Sequence, residues 1–309
     1  REENGRQYLV LANHQTGFDQ FYPSLAFKQH LYYVASEDIF SLGWLSKLIQ
    51  WIAAPIPIKK QVTDIRAVMN CMKVAKEGGS IAMFPEGNRT FSGETGAMNP
   101  AIGGLAKKLG LPIAFLKIEG GYGVQPRWSD VRRKGKMKVY VSCVLEPEEY
   151  KGWSNNELYD RICKELYQNE ANSEGAFYHK KSAEYIERVL YVCPHCGITH
   201  FESSGDTFRC TYCGRSAKYL PSKEISGEFS FRYLLDWYQY QQDYINALDT
   251  LALTAEPVIR DTCSLYKVNL YEGKECLAQD TQLALYGDRI EMTGGFTKTF
   301  RFAEVDTIT

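Results

Sequence analysis

Residues 8–20 read YLVLANHQTGFDQ, an apolar run that ends in a polar turn. The run is typical of a buried β-strand, and the turn carries His14 and Asp19 five positions apart. On an ideal helix that spacing separates two side chains by about 140°, so they meet only if the backbone turns near Gly17. A carboxylate on one ring nitrogen leaves the other nitrogen of an imidazole free as a base. The alternative is structural: His14 closes the strand and Asp19 caps the next helix.

Apolar runs and amphipathic stretches alternate over the first half of the chain. Short runs rich in β-branched and aromatic residues predict strands, and stretches with helical spacing of apolar residues predict the helices between them. This alternation favours an α/β layer fold with a mainly parallel sheet. The predicted strands are residues 8–12, 31–36, 80–84, 112–118 and 138–145, and the predicted helices are residues 39–53, 62–77 and 100–109.

A second polar turn, MFPEGNRTFSG at residues 83–93, follows the predicted strand 80–84. Open parallel sheets bind ligands at the carboxyl ends of their strands, where this turn is expected to lie. Arg89 suits a phosphate because its guanidinium donates two parallel hydrogen bonds, and Gly87 lets backbone N–H groups approach an anion. A solvated surface turn is the alternative. The run APIPIKK at residues 54–60 ends in two lysines, which are a second phosphate contact or simply solvated charges.

Together these three stretches resemble the sequence blocks of the glycerolipid acyltransferases, the family typified by 1-acyl-glycerol-3-phosphate acyltransferase. His14 and Asp19 match the HxxxxD block of that family, and residues 84–90, FPEGNRT, match its FPEGxRS/T block. Residues 56–60, IPIKK, are similar to a block that usually ends in Asp-Arg, and residues 110–120 resemble a fourth block around a proline. The resemblance covers about half of the chain and implies the acyltransferase-type layered fold.

The resemblance also implies a reaction. His14, oriented by Asp19, is expected to remove the proton from the hydroxyl of a lysophospholipid, whose oxygen then attacks the thioester of acyl-CoA or an acyl carrier protein. With 1-acyl-glycerol-3-phosphate as acceptor the product is phosphatidic acid. Lys60 stands where the family has an arginine, and because a lysine lacks the guanidinium fork, other lysolipid headgroups stay open. The expected substrate-binding residues are Lys60, Glu86, Gly87, Asn88, Arg89 and Thr90.

Two CxxC pairs lie thirteen residues apart later in the chain. Two such turns hold one tetrahedral ion between them, so the spacing predicts a zinc ribbon with a structural Zn²⁺ and no open coordination site. Two disulfides are the alternative, which the otherwise cytosolic character of the sequence disfavours. The predicted zinc ligands are Cys193, Cys196, Cys210 and Cys213.

The 309 residues carry a formal net charge of −1, so no global field draws the chain to nucleic acid or anionic lipid. We expect no nucleic-acid partner. No apolar run reaches the roughly 18 residues that a membrane span needs, which favours a cytoplasmic enzyme bound peripherally to the inner face of a membrane. Residues 39–53, with two tryptophans, either pack in a core or lie in the bilayer interface. The basic stretch 127–138 is either a solvated loop or a patch for anionic headgroups or CoA phosphates.

The predicted domains are an acyltransferase domain at residues 1–175, a zinc ribbon with its preceding helix at 176–222, and an aromatic-rich helix with a β-rich region at 223–309. The further predicted helices are residues 154–172, 179–191 and 231–253, and the last sixty or so residues alternate as in antiparallel strands. The chain begins without Met and stops in a strand-like pattern, so we expect a truncated fragment. A different class of function is also open: a scaffold that binds a partner through the ribbon and C-terminal region while the acyltransferase part is inactive.

Overall fold

The structure is a computed structural model that describes residues 5–36, 39–40, 44–58, 64–269 and 273–305. Its contacts divide the chain into two compact units, Arg1–Val34 with Thr63–Asp243, and Ala35–Val62 with Tyr244–Thr309. The domain boundaries expected at residues 175 and 222 stay predictions. The predicted substrate-binding residue Lys60 lies outside the described residues.

The elements of the first half alternate between strands and helices, as predicted. In chain order they are β1 (Leu9–Ala12), α1 (Phe21–Ala26), β2 (Leu31–Ser36), α2 (Trp44–Ala53), β3 (Ile56–Ile58), α3 (Ile65–Lys76), β4 (Ser80–Met83), α4 (Ala101–Leu109), β5 (Ile113–Glu119), α5 (Gly121–Val124), β6 (Lys138–Leu145), α6 (Pro147–Tyr150) and α7 (Asn155–Leu166). Helix α2 and strand β3 belong to the second unit.

The first unit is built on a mainly parallel sheet, which confirms the predicted α/β class. Its strands run in the order β2-β4-β1-β5-β6, and only β6 is antiparallel to its neighbour. Every residue of β1 and of β4 is buried. Both strands read as continuous apolar runs because helices and loops cover both faces of a parallel sheet.

The sheet brings two polar turns to the same edge. Strands β1 and β4 are parallel neighbours, with Leu11 paired to Met83. The residues that follow each strand, from Asn13 and from Phe84 onward, therefore leave the sheet side by side. The HxxxxD stretch and the FPEGNRT stretch meet for this reason, although about seventy residues separate them in sequence.

Two of the helices predicted before the cysteine pairs are wrong in extent or kind. The helix expected over 154–172 ends at Leu166, because the chain beyond it pairs with the loop after β4: Gln168 O accepts from Thr95 N at 3.0 Å, and Glu170 N donates to Gly93 O at 2.7 Å. The helix expected over 179–191 is a single 3₁₀ turn, Ile186–Arg188.

The cause of the second error is long-range pairing. Ala183 N donates to Gly205 O at 2.9 Å, and Tyr185 N donates to Ser203 Oγ at 2.9 Å. Tyr185 itself adopts a positive φ of 75°, which a helix does not allow. These backbone groups are bonded to residues 203–205, between the two cysteine pairs, so they are not available to a helix.

The cysteine-bearing part consists of two small antiparallel sheets. Its short elements are β7 (Val192–Cys193), β8 (Gly197–Ile198), β9 (Phe201–Ser204), β10 (Thr207–Cys210), β11 (Ser216–Tyr219) and β12 (Ile225–Gly227). Strands β12-β11-β10-β9 pair in that order, and β7 pairs with β8. The helix expected over 231–253 is shorter: α8 spans Leu234–Asn246, and a separate 3₁₀ turn at Thr250–Leu253 begins at Asp249, which caps Leu251 N.

The second unit contains a four-stranded antiparallel sheet, as the alternation of its residues predicts. Its strands are β13 (Ile259–Asn269), β14 (Gly273–Leu285), β15 (Arg289–Thr293) and β16 (Lys298–Arg301), paired in sequence order. The β14–β15 connection turns at Gly287-Asp288, where Tyr286 N donates to Arg289 O at 2.9 Å. The described helices include none long and apolar enough to cross a bilayer.

Candidate active site

The turn after β1 brings His14 and Asp19 together. The distance from Nδ1 of His14 to Oδ2 of Asp19 is 2.9 Å, and the Asp19 carboxylate is fully buried. The same carboxylate accepts hydrogen bonds from the backbone N–H of Gln15 and of Thr16, and from the Thr16 hydroxyl. The carboxylate closes the turn, and this explains how residues five apart can be in contact without a helix.

This contact decides which ring nitrogen of His14 is left for chemistry. A carboxylate only accepts, so Nδ1 carries the proton in this pair and the lone pair remains on Nε2. The His14 side chain is about one-fifth exposed, and its ring stacks on Phe84 with centroids 4.5 Å apart. The ring is therefore fixed by Asp19 on one edge and by Phe84 on one face, while it still reaches solvent.

Glu86 connects the second turn to the first. Its Oε1 accepts from His14 N at 2.7 Å and its Oε2 accepts from Gly96 N at 2.8 Å. A further bond runs between the two turns, since Thr90 N donates to His14 O at 3.1 Å. The backbone of His14 is thus held from both sides by the FPEGNRT loop.

The other predicted substrate-binding residues lie in this loop. Gly87 has a positive φ of 69°, which glycine adopts without strain, and its N–H donates to Phe84 O at 2.9 Å. The Thr90 hydroxyl is buried and donates to Glu94 O at 2.6 Å. Asn88 and Arg89 are half-buried. In this structure Glu86 and Thr90 contact protein backbone, and the substrate-binding role of the whole set stays a prediction.

Arg89 is the positively charged residue of the FPEGNRT loop. Burial lowers the pKa of its guanidinium, and the negative charges of Asp19 and Asp130 oppose that effect. Asp19 therefore lies within electrostatic range of Arg89. The FPEGNRT loop thus adds one half-buried positive charge to the candidate site.

Several positioning residues escaped the sequence analysis. Asn13 forms two hydrogen bonds with the backbone of Ile118, and Gln15 Oε1 accepts from Tyr122 N at 3.1 Å, so the turn is fixed to the end of β5. The buried Glu170 accepts from Gly120 N at 2.7 Å. Asn13 and Gln15 could have been recognised in the sequence, because they are polar residues beside His14 at the end of an apolar strand. No sequence pattern indicates Glu170, because its partner is fifty residues away.

The four cysteines of the CxxC pairs form one cluster. Their Sγ atoms all lie within 4.8 Å of one another, and the side chains of Cys193 and Cys210 are buried. One pair lies at the connection between β7 and β8, and the other pair lies at the connection between β10 and β11. The two connections therefore face each other. Four thiols converging in this way are the donor set of a tetrahedral, fully protein-ligated metal site.

A match to a known protein family covers the part of the chain that contains the candidate active site. Residues 2–118 match the acyltransferase family. The matched stretch contains the His14–Asp19 turn and the FPEGNRT loop, but it ends before the cysteine pairs. The acyltransferase-like part of this chain is thus the part that carries the candidate active site.

Two chloroplastic relatives carry the name 1-acyl-sn-glycerol-3-phosphate acyltransferase. BAT2 of Brassica napus is 25% identical over 139 residues, 43% of this chain and 39% of its own length. LPAT1 of Arabidopsis thaliana is 23% identical over 139 residues, 43% of this chain and 38% of its own length. This chain therefore spans about two-fifths of the length of these relatives.

One similar solved structure is that of the 1-acyl-sn-glycerophosphate (LPA) acyltransferase PlsC from Thermotoga maritima. It is 22% identical, with a TM-score of 0.45, over 53% of this chain and 65% of that protein.

The carboxyl of Glu86 gives the site a testable pH dependence. Burial raises its pKa to about 7, although the N–H groups of Gly96 and His14 act in the opposite direction. Its stabilising contribution is therefore complete below the unfolded pKa of about 4.3 and is lost as the pH rises through about 7. We predict that the free energy of unfolding of the wild type falls by about 2–3 kcal/mol relative to Glu86→Gln between pH 5 and pH 8.

Denaturant unfolding of both proteins at the two pH values measures this difference. Glu148→Gln, at an exposed position on α6, is the control and should keep the pH dependence of the wild type. Parallel pH profiles for the wild type and Glu86→Gln would show that Glu86 does not titrate in this range.

Proposed function

We propose that this chain is an O-acyltransferase that moves a fatty acyl group from acyl-CoA or an acyl carrier protein to the hydroxyl of a lysophospholipid. The acceptor we favour is 1-acyl-glycerol-3-phosphate, which gives phosphatidic acid. The observation that carries the proposal is the contact between His14 Nδ1 and the buried Asp19 carboxylate, beside Arg89, within a stretch that matches the acyltransferase family. The names of the two plant relatives support the same acceptor.

In the proposed mechanism His14 acts as a general base through Nε2. It takes the proton of the acceptor hydroxyl while the hydroxyl oxygen forms a bond to the thioester carbon. The carbon–sulfur bond then breaks, and the imidazolium returns its proton to the thiolate, so the products are an ester and a free thiol. Asp19 stabilises the imidazolium and keeps the ring in the required tautomer, as in other His-carboxylate pairs.

Arg89 is the proposed anchor for a substrate phosphate, with Lys60, Gly87 and Asn88 as further contacts. Its guanidinium can donate two parallel hydrogen bonds to a phosphate. In our account Glu86 and Thr90 serve the same end by shaping the loop, since their side chains bond to backbone groups around His14 and Glu94.

We propose a structural Zn²⁺ at the four clustered cysteines. Among the described residues the group that could hold a metal consists of these four thiols. Four thiolate ligands fit a closed site, in which the metal supplies folding energy rather than chemistry. Cys193 and Cys210 lie in one hydrophobic core with aromatic residues of the first unit. Metal binding would therefore stabilise that core.

We also propose peripheral membrane association, on a cytoplasmic inner face. In the first unit α1 exposes Phe21 and Leu25, and α3 exposes one apolar row. In the second unit α2 exposes a row that includes Trp51, 83% exposed. Residues spaced in this way share one helix face, and large apolar side chains on such a face suit the boundary between headgroups and acyl chains. The two rows are Ile65, Met69 and Met72, and Trp44, Leu48, Trp51 and Ile52.

The first experiment follows thiol release from a long-chain acyl-CoA with a panel of lysolipids. We expect release that requires one acceptor, and a decrease of about 10²–10⁴-fold in His14→Ala, because the general base is lost. Asp19→Asn should also be impaired, since an amide no longer fixes the tautomer. His179→Ala, at an exposed position, is the matched control and should retain activity.

The other outcomes separate the alternatives. Release that needs His14 but no acceptor would indicate a thioesterase. Absence of transfer with both acyl-CoA and an acyl carrier protein donor, from a folded wild type, would contradict the enzyme proposal and favour a scaffold.

The metal proposal is tested by zinc content. We expect one zinc per chain in the wild type and in Cys276→Ser, an exposed cysteine outside the cluster, and none in Cys196→Ser or Cys213→Ser. The last two should also have a lower melting temperature, because a structural zinc supplies on the order of 10 kcal/mol. Elemental analysis of the purified proteins measures the metal, and equal zinc in all four would place the metal elsewhere.

A further inference from the structure

The segment that follows α5 lies over both motif-bearing turns. Arg127 places its guanidinium 4.2 Å from the ring centroid of Phe91, directly after the FPEGNRT loop, and donates from Nη1 to Arg89 O at 3.3 Å. Arg132 lies 4.0 Å above the ring of Phe18, inside the HxxxxD turn. The sequence alone left this basic stretch as either a solvated loop or a patch for anions, and these contacts place two of its arginines against the motif-bearing turns.

Arg127 is fixed in place by its neighbours. Trp128 is buried and its ring meets Tyr219 edge-on at 5.4 Å. Asp130 forms two parallel hydrogen bonds, each 2.9 Å long, with the guanidinium of Arg188. These two contacts anchor the segment immediately after Arg127.

Arg127 lies against the backbone of Arg89, and the pKa of its guanidinium is lowered by burial and further by the positive charge of Arg89. Both side chains are half-buried, and within the described residues neither forms an ion pair. The two nearby carboxylates are already engaged, Asp19 by the His14 turn and Asp130 by Arg188. Two neighbouring cations removed from water are unfavourable unless an anion joins them.

The chemistry of the pair selects the kind of anion. One Nη1–H of Arg127 bonds to Arg89 O, and among the described residues nothing bonds to the Nε–Nη2 edge of its stacked guanidinium. That edge suits phosphate oxygens, which make a planar, two-pronged contact with a guanidinium. We infer that Arg127, together with Arg89, binds a phosphate group of a substrate. The inference rests on the proposed function and adds to it a residue outside the matched family stretch, which ends at residue 118.

Two substrates can supply this phosphate, the headgroup of the lysophospholipid or the nucleotide of acyl-CoA. The kinetic test uses Arg127→Gln and Arg127→Lys with two acceptors, 1-oleoyl-glycerol-3-phosphate and 1-oleoyl-glycerol, and two donors, oleoyl-CoA and oleoyl-pantetheine. Arg232→Gln is the control, because Arg232 is also near an aromatic ring, 5.2 Å from Tyr233, but is paired with Glu224.

We expect KM for one phosphate-bearing substrate to rise about tenfold to a hundredfold in Arg127→Gln, with kcat little changed, because a charge-assisted hydrogen bond is lost. An increase only for 1-oleoyl-glycerol-3-phosphate, with 1-oleoyl-glycerol unaffected, would assign the acceptor headgroup. An increase only for oleoyl-CoA, with oleoyl-pantetheine unaffected, would assign the donor. Arg127→Lys, which keeps the charge and loses the fork, should fall between. KM values of both Arg127 variants within about twofold of those of Arg232→Gln, for all four substrates, would overturn the inference.

A binding measurement separates this inference from the proposed function. Calorimetric titration of the wild type with glycerol 3-phosphate and with adenosine 3′,5′-bisphosphate measures binding without turnover. Binding of either compound that weakens at least tenfold in Arg127→Gln supports the phosphate site even if no acyl transfer is found. Equal binding by the wild type and both Arg127 variants, or no binding of either compound, would refute the site whatever the activity.

Discussion

The buried carboxylate of Asp19 is the group on which the site depends. It accepts hydrogen bonds from two backbone N–H groups, one hydroxyl and the His14 ring, and it has no exposure to solvent. A buried anion of this kind is stable only when its donors are in place, so the turn and the orientation of the imidazole form together. Glu86 then fixes the same turn from the neighbouring loop through the N–H of His14.

The sequence predicted what depends on local pattern and missed what depends on distant pairing. Strands β1, β4 and β5 are continuous apolar runs, and the HxxxxD spacing required a turn that the structure contains. Residues 167–172 and 179–191 were predicted as helix, yet their backbone groups bond to distant loops and strands. In the sequence Arg127 is only one of several basic residues in a row. Its proposed role depends on its contacts with Phe91 and Arg89, which the sequence pattern does not reveal.

The cysteine-bearing sheets and the acyltransferase-like part share one hydrophobic core. Tyr122 and Trp128, from the segment that follows β5, are packed in the same cluster as Cys193 and Cys210, and Phe91 packs against it. Tyr122 N also bonds to Gln15, next to the histidine. A metal at the cysteines, as proposed above, would stabilise the core that packs against the His14 turn and the Arg127 segment.

In the arrangement described above, Asp19 holds His14 with its proton on Nδ1 and its lone pair on Nε2. ¹⁵N NMR of protein labelled at histidine, recorded at a pH where the ring is neutral, tests it directly, and the His14 signals are assigned from their loss in His14→Gln. We expect a protonated Nδ1 and an unprotonated Nε2 in the wild type, with this preference lost in Asp19→Ala. A wild-type His14 with its proton on Nε2 would contradict the account, because the ring would then have no lone pair facing the substrate.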